Sequence, residues 1–80
     1  MYDIPWSKPV RVEFPRRLPR IIDGPVAALE ILDSEWPVRQ GRHYEAARAM
    51  CEAARARLTS PDAARDIFIS ASIEAAVPIR

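Results

Sequence analysis

The residue best suited to chemistry in this sequence is His43, the only histidine. An imidazole titrates near neutral pH and can serve as a base, a metal ligand or a pH switch. Catalysis or metal binding would need further ligands in helical register, and the sequence around His43 and Tyr44 offers no second nitrogen or sulfur donor. We therefore interpret His43 as a surface residue near the start of a helix.

The single thiol, Cys51, excludes a disulfide within the chain. Its spacing from neighbouring apolar residues places it on the buried face of a helix, where a thiol behaves as a small hydrophobic group. Cys51 and His43 are about 12 Å apart along a helix axis, so the two side chains cannot meet within one helix. We predict a core position for Cys51.

Two pairs of carboxylates could in principle do acid–base work or hold a divalent cation. They are Asp33 with Glu35, and Asp62 with Asp66. We interpret both as solvated helix faces. Asp62 and Asp66 lie in the first turns of a helix, where acidic residues complement its dipole without any chemistry. With only 2 glycines, the chain also lacks a glycine-rich phosphate loop. The sequence thus predicts no catalytic, cofactor-binding or metal-binding residue, no cofactor and no enzyme activity.

The alternative to a catalytic site is an anion-binding surface formed by a cluster of arginines. Its candidate residues are Arg11, Arg16, Arg17 and Arg20. Such a cluster could contact phosphates. The net charge is only +1, however, and basic segments alternate with an acidic one at 21–35. This alternation favours solvated faces over the concentrated positive field that nucleic acid requires, so nucleic acid stays the second choice of partner.

The elements that position these residues can be predicted from periodicity. Residues 1–8 form an N-terminal arm that Trp6 anchors, and 9–22 form a β-hairpin, in which Val10, Val12 and Phe14 alternate onto one face. Apolar residues three and four apart predict helices over 25–36, 43–58 and 61–76. The last helix has the clearest start, with Ser60 as the cap and Pro61 in the first turn.

The last of these helices carries apolar residues on two sides. Ile69, Ile73 and Ala76 lie roughly opposite the stripe that contains Phe68. A helix of this kind needs two neighbours. Either the hairpin covers the second side, or that side binds a partner protein, which could be a second copy of the chain.

Several of these residues recur in a known family. The recurring positions are Trp36, Pro37, Gly41, Ala47, Cys51, Ala54, Ser60, Pro61, Ala64, Arg65, Phe68, Ala71 and Glu74. In this respect the chain resembles a family of small bacterial proteins known as domain of unknown function 982. Members tend to have a glycine near the junction of the last two helices, where this chain has Ala56, Arg57 and Leu58. The resemblance implies a compact α+β domain and implies no activity.

Taken together, the sequence predicts one small α+β domain over 1–80, built from a two-stranded antiparallel hairpin followed by three helices. No apolar run approaches the ~20 residues that span a bilayer, so we expect no membrane insertion and a cytoplasmic protein. The function we expect is a noncatalytic protein-interaction or regulatory module, with a homodimer as one form that it could take. An anion binder acting through the arginine cluster is the alternative.

Overall fold

The structure, a computed structural model, describes residues 5–79. Strand β1 spans Val10–Val12 and strand β2 spans Arg20–Ile22. Three helices follow: α1 is Pro25–Ser34, α2 is Arg42–Arg55 and α3 is Pro61–Glu74. The predicted α+β class and the order of hairpin and helices are therefore confirmed. The first four residues of the predicted arm lie outside the described part of the chain.

The hairpin pairs β1 with β2 in antiparallel register, with Val10 opposite Ile22 and Val12 opposite Arg20. Val10, Val12 and Ile22 are buried, whereas Arg11 and Ile21 face outward. This is the alternation that one covered sheet face requires. The hairpin thus supplies one wall of the core and exposes its other face.

A C-terminal segment continues the sheet on the other side of β1, which the sequence did not predict. Ile79 forms an antiparallel bridge with Val12, and the backbone N–H of Glu13 donates to the Pro78 carbonyl at 3.0 Å. Val77, just before this bridge, is buried. Strand β1 therefore has backbone partners at both of its edges.

The core is organised around Phe68, which is fully buried on α3. Its ring lies between two indoles, with centroids 5.5 Å from Trp6 and 5.4 Å from Trp36. Trp36 in turn meets Phe14 edge-on at 6.2 Å. Because Trp6 also donates its backbone N–H to the Asp23 carbonyl at 2.7 Å, the prediction that it anchors the arm is confirmed.

All three helices end earlier than the sequence predicted. Helix α1 ends at Ser34 instead of residue 36, because Trp36 leaves the helix to pack against Phe68. Helix α2 ends at Arg55 instead of residue 58, and α3 ends at Glu74 instead of residue 76.

The C-terminal ends of α2 and α3 share a local cause, which is a residue in the left-handed conformation just after the helix. Arg57 has φ 64° and Ala76 has φ 56°. The N–H groups of Leu58 and Val77, which follow them, each reach back to a carbonyl five residues earlier at 2.8 Å. This is the Schellman arrangement, which ordinarily uses glycine at the left-handed position. Because neither position is a glycine, the usual sequence signal for this arrangement is missing at both ends, although Pro78 limits how far α3 can continue.

Arg57 adopts the left-handed conformation with its side chain in place, and this strain predicts a stabilising substitution. Since a side chain in left-handed geometry costs about 1–2 kcal/mol, part of which glycine loses again to unfolded-state entropy, Arg57→Gly should stabilise the fold by about 0.5–1 kcal/mol. Urea unfolding measures the change. Arg57→Ala removes the same side chain but keeps Cβ, so it should give no comparable gain. Equal gains in both variants would contradict the assignment.

Candidate functional site

His43, which the sequence predicts to be a surface residue near a helix start, lies in the first turn of α2 and faces the end of α3. Its Nδ1 is 3.0 Å from Oε2 of Glu74. Because a carboxylate only accepts, Nδ1 carries the shared hydrogen and Nε2 is left as the acceptor of the neutral ring. The sequence placed His43 correctly near a helix start but did not single out Glu74, which lies 31 positions further along the chain.

Glu74 also binds the backbone at the start of α2. It accepts the N–H of His43 at 3.3 Å and the N–H of Tyr44 at 3.2 Å. The first N–H groups of a helix have no partner within that helix, and the N-cap residue of α2 is Gly41, which has no side chain to cap them. The carboxylate of α3 therefore caps α2 from outside.

Gly41 allows this approach in two ways. Its φ of 112° with ψ of 160° belongs to a region that is essentially restricted to glycine. A Cβ added at this position would lie 2.9 Å from Oε1 of Glu74. The backbone geometry and the close approach of the carboxylate both require that position 41 carry no side chain.

The environment of Glu74 favours its charged form. The hydrogen bond from the His43 side chain lowers the pKa of the Glu74 carboxyl below its ordinary value of 4.5. Desolvation opposes this shift, and the two backbone N–H groups add to it. The contact is thus a charge-assisted cap in which negative charge meets the positive end of a helix dipole.

An open depression of about 330 Å³ adjoins the cap. It is lined by His43, Ser70, Ile73 and Glu74. Ile73, a large apolar side chain on α3, is 72% exposed. The Ser70 hydroxyl donates to the Asp66 carbonyl of its own helix at 3.3 Å. The depression therefore offers a ligand one apolar side chain, that of Ile73, surrounded by polar groups.

The other predicted interface residues of α3 are placed differently from Ile73. Ile69 is partly buried and packs against the core. Ala76 is exposed and lies beyond the end of the helix. Of the predicted surface, we therefore keep Ile73 and its neighbours as the candidate and leave out Ile69 and Ala76.

The predicted anion-binding arginines are largely engaged by carboxylates. Glu35, at the C-terminal end of α1, accepts from Arg17 at 2.7 Å and also from Arg20. These contacts, led by the Arg17 hydrogen bond, lower the pKa of the Glu35 carboxyl. Arg11 pairs with Glu13 at 3.6 Å, and Arg16 lies in the hairpin turn with φ 62°. Glu13 and Glu35 together therefore offset two of the four positive charges that an anion would meet.

The remaining candidates serve the packing of the chain. Cys51 is fully buried, as predicted. Asp62 accepts the N–H and the hydroxyl of Ser7 at 3.0 and 3.2 Å, and Asp33 pairs with Arg48 at 2.9 Å. Within residues 5–79, no three His, Cys, Asp or Glu side chains are grouped so that they could hold a metal ion. None of the helices in this same range is long and apolar enough to span a membrane.

Fold and site together define a small α+β protein in which a hairpin and an external carboxylate cap hold three helices. The chain belongs to the family described as protein of unknown function (DUF982), whose model matches residues 8–79. Searches of curated proteins and of solved structures found no significant match.

The structure gives the residues that carried the resemblance a role in packing or capping. Gly41 and Glu74 form the cap of α2, and the Ser60 hydroxyl accepts the Ala63 N–H at 3.0 Å to begin α3. Arg65 donates to the Lys8 carbonyl at 2.7 Å, which ties the arm to α3. The buried members of the set are Trp36, Ala47, Cys51, Ala54, Ala64, Phe68 and Ala71. The presence of both Gly41 and Glu74 in this set was the one sequence signal that could have revealed the cap.

The lowered pKa of Glu74 predicts a specific loss of stability in acid. A carboxyl with a folded-state pKa below its unfolded value stabilises the fold above the unfolded pKa and stops doing so as pH falls through the folded pKa. Glu74→Gln should therefore be less stable than wild type at neutral pH, and the gap should close below pH 4.5. Thermal unfolding of both proteins, from neutral pH to below pH 4.5, measures this difference in stability. A difference that does not change with pH would contradict the charged cap.

A second prediction concerns the space that Gly41 leaves for the carboxylate. Gly41→Ala should destabilise the fold by about 1–3 kcal/mol, because it forces a side chain into a glycine-only conformation. In a Glu74→Ala background the close contact is gone but the strained φ remains, so the cost should be smaller without vanishing. A double-mutant cycle from urea unfolding gives the coupling. Strict additivity would show that the two positions do not interact.

Proposed function

We propose that this protein is a noncatalytic protein-interaction or regulatory module that binds its partner through the outer face of α3 around Ile73. The observation that carries the proposal is the 72% exposure of Ile73 beside a preformed depression. Burying an isoleucine of this kind contributes about 1.5–3 kcal/mol to association, before the costs of binding are subtracted. A fixed helix presents it with little loss of backbone entropy.

The charges near Ile73 indicate the chemistry of the partner. Asp66, two turns earlier on the same helix face, is exposed, and Glu74 forms part of the rim of the depression. Complementary charge steers association and selects among partners. The surface therefore fits a segment with an apolar side chain flanked by Lys or Arg.

The same charges argue against a second copy of α3 as the occupant. Two copies packed in antiparallel fashion through this face would bring Asp66 of one near Glu74 of the other, and a parallel arrangement would oppose each acid to itself. Like charges in contact disfavour such a pair. A different, basic protein is the partner that the α3 surface suits.

The noncatalytic part of the proposal is supported by what the reactive groups do. His43 and Glu74 are used to cap α2, and Cys51 fills space in the core. The arginine cluster, the basis of the anion-binding alternative, has two members held by Glu35. Protein binding through α3 needs none of these groups to change its contacts.

Replacement of Ile73 tests the proposed surface. Ile73→Lys removes the apolar contact and adds a charge that repels a basic partner, so retention of the partner should fall at least about tenfold. The measurement is quantitative capture from a lysate of the native host by immobilised protein, with cross-linking to identify the contact segment. Leu58→Lys is the matched control, because Leu58 is 81% exposed but lies at the opposite end of α3, in the turn that precedes it.

The expected result is a protein retained equally by wild type and Leu58→Lys, lost with Ile73→Lys, and cross-linked through a basic and apolar segment. If all three baits retain the same proteins to the same extent, the α3 surface is not the binding site.

A further inference from the structure

The outward face of α2 carries a regular alternation of charge. Glu45, Arg48, Glu52 and Arg55 follow one another at spacings of three, four and three residues. Glu45, Glu52 and Arg55 are exposed, and the Arg48 side chain keeps 42% of its surface accessible. The order of signs along this face is negative, positive, negative, positive.

Read in the opposite direction along the helix, the same face has a positive charge wherever the first reading has a negative one. When two copies of α2 run antiparallel about a two-fold axis that crosses the charged face at the level of residue 50, Glu45 lies opposite Arg55 of the second copy. Arg48 then lies opposite Glu52, and the two-fold axis repeats both pairs. A parallel arrangement would instead set each charge against its like. The pattern therefore selects one orientation and one partner, a second copy of this chain.

Small residues between the charges allow two such helices to come close. Ala49 and Ala56 are exposed on the same face. An open depression of about 250 Å³ is lined by Glu45, Arg48, Ala49 and Glu52. Helices with small residues in contact can pack near the lower end of the usual interaxial range of about 8–10 Å, which brings flanking Glu and Arg side chains within reach of each other.

We propose that α2 forms an antiparallel, two-fold contact with α2 of a second copy, held by reciprocal Glu45–Arg55 and Arg48–Glu52 pairs. This surface lies on a different helix from Ile73, so the two contacts can form together and the proposal does not depend on the proposed function. A dimer through α2 also avoids the repulsion between Asp66 and Glu74 that a dimer through α3 would create.

The contacts that these side chains make within one chain do not prevent the exchange. Arg55 pairs with Glu52 at 2.9 Å, and Arg48 pairs with Asp33 at 2.9 Å. All four side chains keep between 42 and 53% of their surface exposed. Exposed ion pairs of this kind are weak and readily exchange partners. In the dimer each arginine gains a glutamate of the second copy. Nε of Arg48, which is buried and 2.9 Å from Asp33, keeps that contact, and the Nη groups of Arg48 are the ones that reach Glu52 of the second copy.

The test is charge reversal followed by mixing. Wild type should self-associate at about 0.01 M salt, where the Debye length is about 30 Å, and dissociate near 1 M, where it is about 3 Å. The variant Glu45→Arg/Glu52→Arg should self-associate at least about tenfold more weakly, and so should Arg48→Glu/Arg55→Glu, because each opposes like charges. An equimolar mixture of the two variants should form a heterodimer. Sedimentation equilibrium at low salt measures all three, and circular dichroism confirms that each variant is folded.

Two control variants show whether self-association depends on this face of α2. Asp23→Arg/Glu30→Arg changes the net charge as much as the first variant, but both positions are exposed and lie outside α2 and α3, so this variant should self-associate like wild type. Ile73→Lys should do the same, which distinguishes this contact from one through α3. A wild type that is monomeric at both salt concentrations would overturn the proposal. So would variants that associate as wild type does, or a mixture that fails to associate. Should a reversed variant not fold, the salt dependence of wild type still decides.

Discussion

The carboxylate of Glu74 at the start of α2 is the contact on which the arrangement of the helices depends. It joins the last turn of α3 to the first turn of α2 through two backbone N–H groups and the His43 ring. Because a helix start left without partners is costly, this cap fixes where α2 begins and how it meets α3. Gly41 is required for the same reason, since any side chain there would occupy the space of the carboxylate.

Phe68 joins separate segments of the chain in the interior, as Glu74 joins two helices at the surface. Its ring contacts Trp6 from the arm and Trp36 from the segment between α1 and α2, so one side chain of α3 holds two connecting segments. The face of α3 opposite these contacts is therefore free to carry other residues, and Ile73 lies there in solvent. The residues that carried the resemblance to the family serve mainly packing and capping, whereas the proposed binding residues Ile73, Glu45 and Arg48 are not among them.

The sequence could predict a structural feature where the residues that determine it lie close together in the chain. The start of α3 was correct because Ser60 and Pro61 are adjacent signals for a single event. The ends of α2 and α3 were wrong because Arg57 and Ala76 adopt a conformation that side chains disfavour. At the end of α3 the packing of the next residue favours this conformation, whereas Leu58, which follows Arg57, is 81% exposed. Val77, buried just after Ala76, shows this dependence on tertiary contacts.

The contacts that define the candidate site were not predictable in the same way. Glu74 and Tyr44 are separated by 30 positions, and Glu35 and Arg17 by 18, so no helical or strand periodicity connects them. The arginine cluster was visible in the sequence, but the carboxylate that compensates it was not. His43 was interpreted as a surface residue at a helix start, which is where it lies; its partner became evident only in three dimensions.

The bridge between Val12 and Ile79 has a consequence for how the sheet resists aggregation. With β1 paired on both sides, the strand edge left open among residues 5–79 is that of β2. That edge is short and begins beside Pro19, which has no N–H to donate, and Arg20, whose charge repels a similar strand. Proline and charge are the means by which natural sheets discourage edge-to-edge growth. The outward-facing Ile21 is thus flanked by residues that hinder fibril-like stacking of the hairpin.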